Sequence, residues 1–201
     1  MFGRLRLARA SLVASVAVSA MGAGCGELTT VKVPSEQEVS VPGQGILAGN
    51  PLVDEQVFPS DVISEALAQS ISQTFDTAGY DKDAVDSIKL TKLSMTVTNP
   101  EEGGRQVRGL GFIEKLTINV SADGVDPIVV AESAEDALDG SPGPVSYDMP
   151  LTEAELVEAF KAGDQMTMDA DLEPGPPPQF ETDVLFETEL TIQVNVAGAL
   201  F

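Results

Sequence analysis

The sequence predicts an all-β chain, a mostly antiparallel β-sandwich with two short helices, and three observations predict it. Apolar and polar residues alternate with period two over several runs, the pattern of a half-buried strand. Turn-forming clusters of Gly, Pro, Asn and Asp separate those runs at short intervals, which favours a sandwich over a doubly wound sheet. A composition of 43% hydrophobic and 21% charged residues in 201 can bury a core and is not that of a disordered chain.

The first alternating stretches, Leu28 to Val33 and Glu36 to Val41, are broken by Pro34, Pro42, Gly43 and Gly45. Proline is tolerated at sheet edges and strand ends, so this part reads as a tether that becomes one or two edge strands. From Ser60 the period changes. Ile63, Leu67, Ile71 and Phe75 recur every fourth residue, Ser60 or Asp61 can cap the start and Gly79 fits the stop, predicting a helix over 61–78.

Ser87 to Thr98 alternates again, but Ile88 and Leu90 are out of phase with Leu93, Met95 and Val97. One extra residue near Thr91 and Lys92, a β-bulge, restores the phase. Leu116 to Val120, Pro127 to Ala131 and Val145 to Met149 are shorter strand candidates. Met166, Met168, Ala170 and Leu172 share a face of the penultimate strand, and Phe186, Leu190, Ile192, Val194 and Val196 share a face of the last. Inward methionines such as Met95, Met166 and Met168 read as packing rather than as metal ligands.

A second helix is predicted over 153–162. Thr152 stands three residues before Glu155, the spacing of a capping box, with Leu151 and Leu156 as a hydrophobic staple. Lys161 in the last turn and Gly163 after it suit the dipole and a left-handed stop.

The N-terminus carries Arg4, Arg6 and Arg9 without an acid, then a weakly apolar run from Ala10 to Met21 that is too short to span a bilayer. Gly22-Ala23-Gly24-Cys25 follows, leading into the only cysteine. This segment resembles the lipobox of bacterial lipoproteins, with Gly22 where that family usually has Leu. The resemblance implies removal of residues 1–24 as a signal peptide, acylation of the Cys25 thiol, and anchorage in a membrane of the cell envelope. Gly26, where inner-membrane retention would ask for Asp, points by the same resemblance to the outer membrane. The plain alternative is an ordinary secretory signal cut after Ala20, with Cys25 left as a free thiol. The expected organisation is a signal peptide over 1–24, a lipidated N-terminus with tether and edge strands over 25–58, and a β-sandwich domain over 59–201.

Eleven Lys and Arg against 32 Asp and Glu leave a formal charge of −21, and loss of the three N-terminal arginines takes the mature chain to −24. Nucleic acid is excluded as a partner, because phosphate binding begins with a basic surface. The absence of His, together with a single Cys, excludes a Ser-His or Cys-His nucleophile pair, a zinc finger and an intrachain disulfide.

The order of a helix, the strand over 87–98 ending in Thr98-Asn99-Pro100, Phe112 to Leu116, the Ser121-Ala122-Asp123-Gly124 turn, a short helix and two last strands resembles a group of small lipid-anchored β-sandwich proteins of bacterial envelopes. The similarity runs over about 60–197 and rests on strand and turn motifs, so it implies fold and location and no activity. The function it supports is a membrane-anchored, non-enzymatic binding or structural module, with no cofactor apart from a Ca²⁺ ion considered next.

Two groups of residues are candidates for more than structure. Asp169, Asp171 and Glu173 share a face of the penultimate strand, and Glu187 and Glu189 a face of the last. If residues 174–178 join these strands as an antiparallel pair, five carboxylates line one surface, where their mutual repulsion invites Ca²⁺. That would make a Ca²⁺-dependent adhesin-like module; the plain alternative is a solvated face of an acidic protein. Paired carboxylates could also serve a hydrolase, but the sugar platforms such enzymes use are poorly supplied, with no Trp and only Tyr80 and Tyr147. The second group is cationic. Residues 82–115 hold six of the eight mature basic residues beside five acids, a net +1 in a chain whose remainder is −25. Lys89, Lys92, Arg105 and Arg108 are therefore the candidate contacts for an acidic envelope protein or lipid headgroups, against local pairing with Glu101, Glu102 and Glu114.

Overall fold

The computed structural model describes residues 28–41, 43, 82–162, 166–176 and 178–195. The predicted signal peptide, Cys25 and the helix predicted over 61–78 lie outside these residues. The chain is mostly antiparallel β, as its alternation predicts. Among the described residues nine strands follow in order: β1 (Leu28–Val41), β2 (Val85–Val97), β3 (Glu101–Glu102), β4 (Arg105–Gln106), β5 (Ile113–Ala122), β6 (Val125–Glu132), β7 (Ser146–Asp148), β8 (Thr167–Pro174) and β9 (Thr182–Asn195). A 3₁₀ turn over Lys82–Ala84 leads into β2, and one helix, α1 (Val157–Ala162), lies between β7 and β8.

The strands form a four-stranded sheet ordered β1-β9-β2-β7, a three-stranded sheet ordered β6-β5-β8, and the small β3-β4 hairpin. β9 is an interior strand of the larger sheet, and its alternation is unbroken. Thr182, Val184, Phe186, Thr188, Leu190, Ile192 and Val194 are all buried, while the residues between them are half-exposed. β1 pairs with it from Leu28↔Asn195 to Val41↔Thr182, and β2 from Val85↔Val194 to Val97↔Val184. Buried side chains of both larger sheets, among them Ile88, Met95, Phe186 and Ile192 from one and Leu116, Ile118 and Met168 from the other, belong to a single hydrophobic cluster.

The bulge falls where the change of phase requires it. The β2–β9 register shifts between Leu90 and Lys92, leaving Thr91 as the inserted residue, so Leu90 and Leu93 are both buried while Thr91 and Lys92 are both exposed. The two N-terminal stretches prove to be one continuous strand. Pro34 stays in register opposite Glu189, which is tolerated because β1 has a sheet neighbour on one side only among the described strands. Residues 28–41 are thus, among the described strands, an edge strand of the sheet that holds β2 and β9.

The helix predicted over 153–162 is corrected to Val157–Ala162. The capping box does not form because both of its side chains bond elsewhere. The Thr152 hydroxyl donates to the Val129 carbonyl at 2.6 Å, and the Glu155 carboxylate accepts the Ile88 amide at 2.5 Å and the Ser87 hydroxyl at 2.7 Å. Glu153 has a positive φ of 57°, which also takes the chain out of a helical path. Tertiary partners outcompete the local pattern here.

Candidate functional site

On the half-exposed face of the larger sheet, β9 presents Glu187 and Glu189, and the bulge sets Thr91 and Lys92 beside them. Lys92 Nζ lies 3.0 Å from Glu187, whose other oxygen accepts the Ser94 hydroxyl at 3.2 Å. Lys32 of β1 reaches Glu189 at 2.9 Å, and the Thr91 hydroxyl donates to the same oxygen at 3.1 Å. Each carboxyl is held below the usual range, by the Lys92 hydrogen bond at Glu187 and the Lys32 hydrogen bond at Glu189, with partial burial opposing the shift. Two acids and two lysines thus interlock across three strands.

The other three candidate metal ligands lie in a different sheet. β8 pairs with β5 and not with β9, so the 174–178 segment crosses between sheets instead of closing a hairpin. Asp171 accepts the Asn119 amide at 2.9 Å and Asp169 the Ser121 hydroxyl at 3.3 Å, while Glu173 is exposed opposite Lys115. Lys115 itself pairs with Glu132 at 2.6 Å, which raises its pKa. The pairing that would set Asp169, Asp171, Glu173, Glu187 and Glu189 on one surface is not formed. Among the described residues no three His, Cys, Asp or Glu side chains converge as a metal site.

The four candidate partner-binding cations are also dispersed. Lys89 sits opposite Thr191 near the start of β2, and Lys92 is engaged by Glu187. Arg105 is exposed on the β3-β4 hairpin, whose tip is made by Gly103 and Gly104 at positive φ. Arg108 works inside the structure. Its Nε donates to the Glu181 carbonyl at 2.8 Å, and its Nη1 to the carbonyls of Asn99 and Glu101 at 3.2 and 3.3 Å. The guanidinium lies 5.3 Å from the Phe180 ring centroid and 3.5 Å from Glu102. From Thr191 to Glu181 is ten residues of chain along β9, about 33 Å of extended strand, so Lys89 and the Arg108 loop serve separate places.

A groove lies at that second place, the end of the sheet where β2 stops and β9 begins. Two Gly- and Pro-rich loops interlock there through Leu110 N–H to the Pro144 carbonyl at 2.8 Å and Gly111 N–H to the Pro142 carbonyl at 2.9 Å. They approach so closely that a Cβ on Gly111 would stand 2.0 Å from the Gly140 oxygen. A third segment joins them by Gly175 N–H to the Phe112 carbonyl at 2.8 Å. Between the loops is a groove of about 360 Å³ lined by Gln106, Arg108, Phe112, Pro142, Pro176 and Gln179 among others. Its lining combines side-chain amides, prolines and the Arg108 guanidinium. The clusters around Gly103 to Gly111 and Gly140 to Gly143 mark loops in the sequence, but nothing local shows that they meet.

No protein-family model, no curated protein and no solved structure matches this chain.

Proposed function

We propose that the protein is an envelope lipoprotein in which an acylated Cys25 anchors a non-enzymatic binding or structural module, with the two larger sheets as the layers of a β-sandwich. The observation that carries this reading is the junction between the lipobox-type segment and the fold. Only Gly26 and Glu27 separate Cys25 from the first residue of β1, which is paired along its whole length to β9. Two or three acyl chains, each adding about 0.8 kcal/mol per buried methylene, hold a domain stably, and here no long tether would intervene. Among the described residues no helix is long and apolar enough to cross a membrane. The membership of both sheets in one hydrophobic cluster supports the sandwich. The groove walled by Arg108 and Pro142 is the binding surface of this module, and an extended segment of an envelope protein its ligand. Intact-mass measurement of the mature protein tests the reading. A chain beginning at Cys25 with added acyl mass is expected; an unmodified chain cut upstream of that thiol would overturn it.

A further inference from the structure

The groove between the Gly- and Pro-rich loops has a largely uncharged lining and a charged mouth. Phe112, Pro142, Pro176 and Pro178 line it together with amide side chains, and Arg108 is the single charged residue of that lining. The guanidinium is spent inward. Its side chain is 16% exposed, and its Nε and Nη1 donate to the carbonyls of Glu181, Asn99 and Glu101. These contacts bring two glutamates to the mouth through their main-chain oxygens, so the carboxylates of Glu101 and Glu181 stay exposed and make no ion pair among the described residues. Glu102, 60% exposed, approaches Arg108 at 3.5 Å. The remaining cation here, Arg105, pairs across the hairpin with Glu102, whereas Glu101 pairs with Gln106. Successive residues of a strand face opposite ways, so Glu101 shares a face with the groove-lining Gln106 and Arg105 lies on the other face. Beside Glu181, the Phe180 ring is 39% exposed, with the Arg108 guanidinium 5.3 Å from its centroid.

From this arrangement we propose that the groove takes a cationic extended segment, its apolar side chains against Phe112 and the prolines and its lysine or arginine side chains at Glu101, Glu102 and Glu181. The proposal rests on the groove being the binding surface of the module and adds the sign of charge its ligand carries. An acidic segment would meet three exposed carboxylates and find the donors of Arg108 already taken. A lysine or arginine can instead lay its methylene stem along Phe180 and reach the adjacent Glu181. At physiological salt, charges are screened beyond about 8 Å, so the carboxylates at the mouth govern the choice of segment rather than the acid spread over the chain. Charges at a rim act on partner choice and association more than on raw affinity, and discrimination between segments is therefore what the experiment reads.

The experiment uses the full-length protein, processed in its host and held in a non-ionic detergent. Fluorescein-labelled dodecapeptides built on the repeats Lys-Pro-Val, Gln-Pro-Val and Glu-Pro-Val, kept extended by their prolines, are titrated by anisotropy in about 150 mM NaCl, and hydrogen exchange at Leu110 and Gly111 marks occupancy of the groove. The triple variant Glu101→Gln/Glu102→Gln/Glu181→Gln is compared with Asp86→Asn/Asp126→Asn/Glu158→Gln. The second removes the same charge away from the groove, beside Val85↔Val194, beside Ala122↔Val125 and on α1. The lysine peptide is expected to bind about tenfold more tightly than the glutamine peptide, the glutamate peptide most weakly, and bound peptide to slow exchange at Leu110 and Gly111. The groove triple is expected to lose the preference for lysine and the distant triple to keep it, while the single substitution Arg105→Glu strengthens it. Equal losses in the two triples, or weaker lysine-peptide binding in Arg105→Glu, would overturn the proposal. Equal binding of the lysine and glutamine peptides with slowed exchange at Leu110 and Gly111 would overturn the sign of charge and leave the groove standing as the binding surface. Exchange at those amides that no peptide slows would overturn both.

Discussion

The Glu155 carboxylate accepts the backbone N–H of Ile88, and the next residue, Leu156, donates its own N–H to the Ile88 carbonyl at 2.8 Å. Two consecutive residues thus occupy both backbone groups of one β2 residue. β7 covers that edge of β2 only opposite Ser94 to Thr96, so near Ile88 this pair does what a neighbouring strand would do. Removing the carboxylate leaves a half-buried N–H without its acceptor. Glu155→Ala is expected to cost about 1–2 kcal/mol in urea unfolding. Glu155→Gln, which keeps an acceptor oxygen, is expected to cost less. Equal stability of all three proteins would show that water replaces the bond.

The interlock on the larger sheet gives a pH dependence of defined sign. Glu187 and Glu189 have pKa values below their ordinary range in the folded chain, so folding favours their ionised forms. Their contribution is fully present above the unfolded-state pKa of about 4.3 and is lost as pH falls through the lower folded values. The chain's excess of acid changes the overall stability in the same range, so the measurement is a difference. Between about pH 6 and pH 3 the Tm advantage of the native protein over the Glu187→Gln/Glu189→Gln variant is expected to shrink. An advantage unchanged over that range would mean that the lysines do not favour the ionised forms.

How much of this was legible depended on whether a signal was local. The β2 bulge was, because a change of phase within one strand can be accommodated only by an extra residue in that strand. So was the alternation of β9, whose burial follows its sequence residue by residue. The start of α1 was not. Thr152 and Glu155 fit a capping box, but Val129 and Ile88 offer their backbone groups from 23 and 67 residues away, and a local pattern carries no sign of such competitors. Whether the five carboxylates share a surface is not legible for the same kind of reason. Strand order is a long-range property, and β8 and β9 are neighbours in sequence without being neighbours in a sheet. The sequence shows the charge of Arg108, whereas its partners, the Glu181 and Asn99 carbonyls, are set by the meeting of distant loops.

Metal dependence follows from the separation of those carboxylates. Glu187 and Glu189 are neutralised by lysines, and Asp169 and Asp171 are met by Ser121 and Asn119. Added divalent cations are therefore expected to act by screening. Millimolar CaCl₂ and MgCl₂, matched in ionic strength, are expected to move the melting midpoint equally, whereas a cation bound specifically by the native state would raise it further. A rise with Ca²⁺ alone, lost on chelation, would restore a calcium site.

Arg105 and Arg108 are three residues apart and call for opposite expectations. Arg108 is a positioning residue for the groove, with its planar fork shared among the carbonyls of Glu181, Asn99 and Glu101 and its face near Phe180. Lysine keeps the charge but cannot reproduce a fork of that geometry. Arg108→Lys is expected to lower stability by about 1–3 kcal/mol and to loosen the loops that wall the groove, seen as faster hydrogen exchange at Leu110 and Gly111. Arg105 is exposed on a two-residue strand and makes no ion pair among the described residues, so Arg105→Glu is expected to leave the melting midpoint within about 0.5 kcal/mol of native stability. That contrast fixes which substitution probes binding. Loss of binding in Arg108→Lys would mix unfolding with recognition, whereas loss in Arg105→Glu at unchanged stability would report recognition at the hairpin. Arg108→Lys with native stability and native exchange would show that the guanidinium is not what holds the loops together.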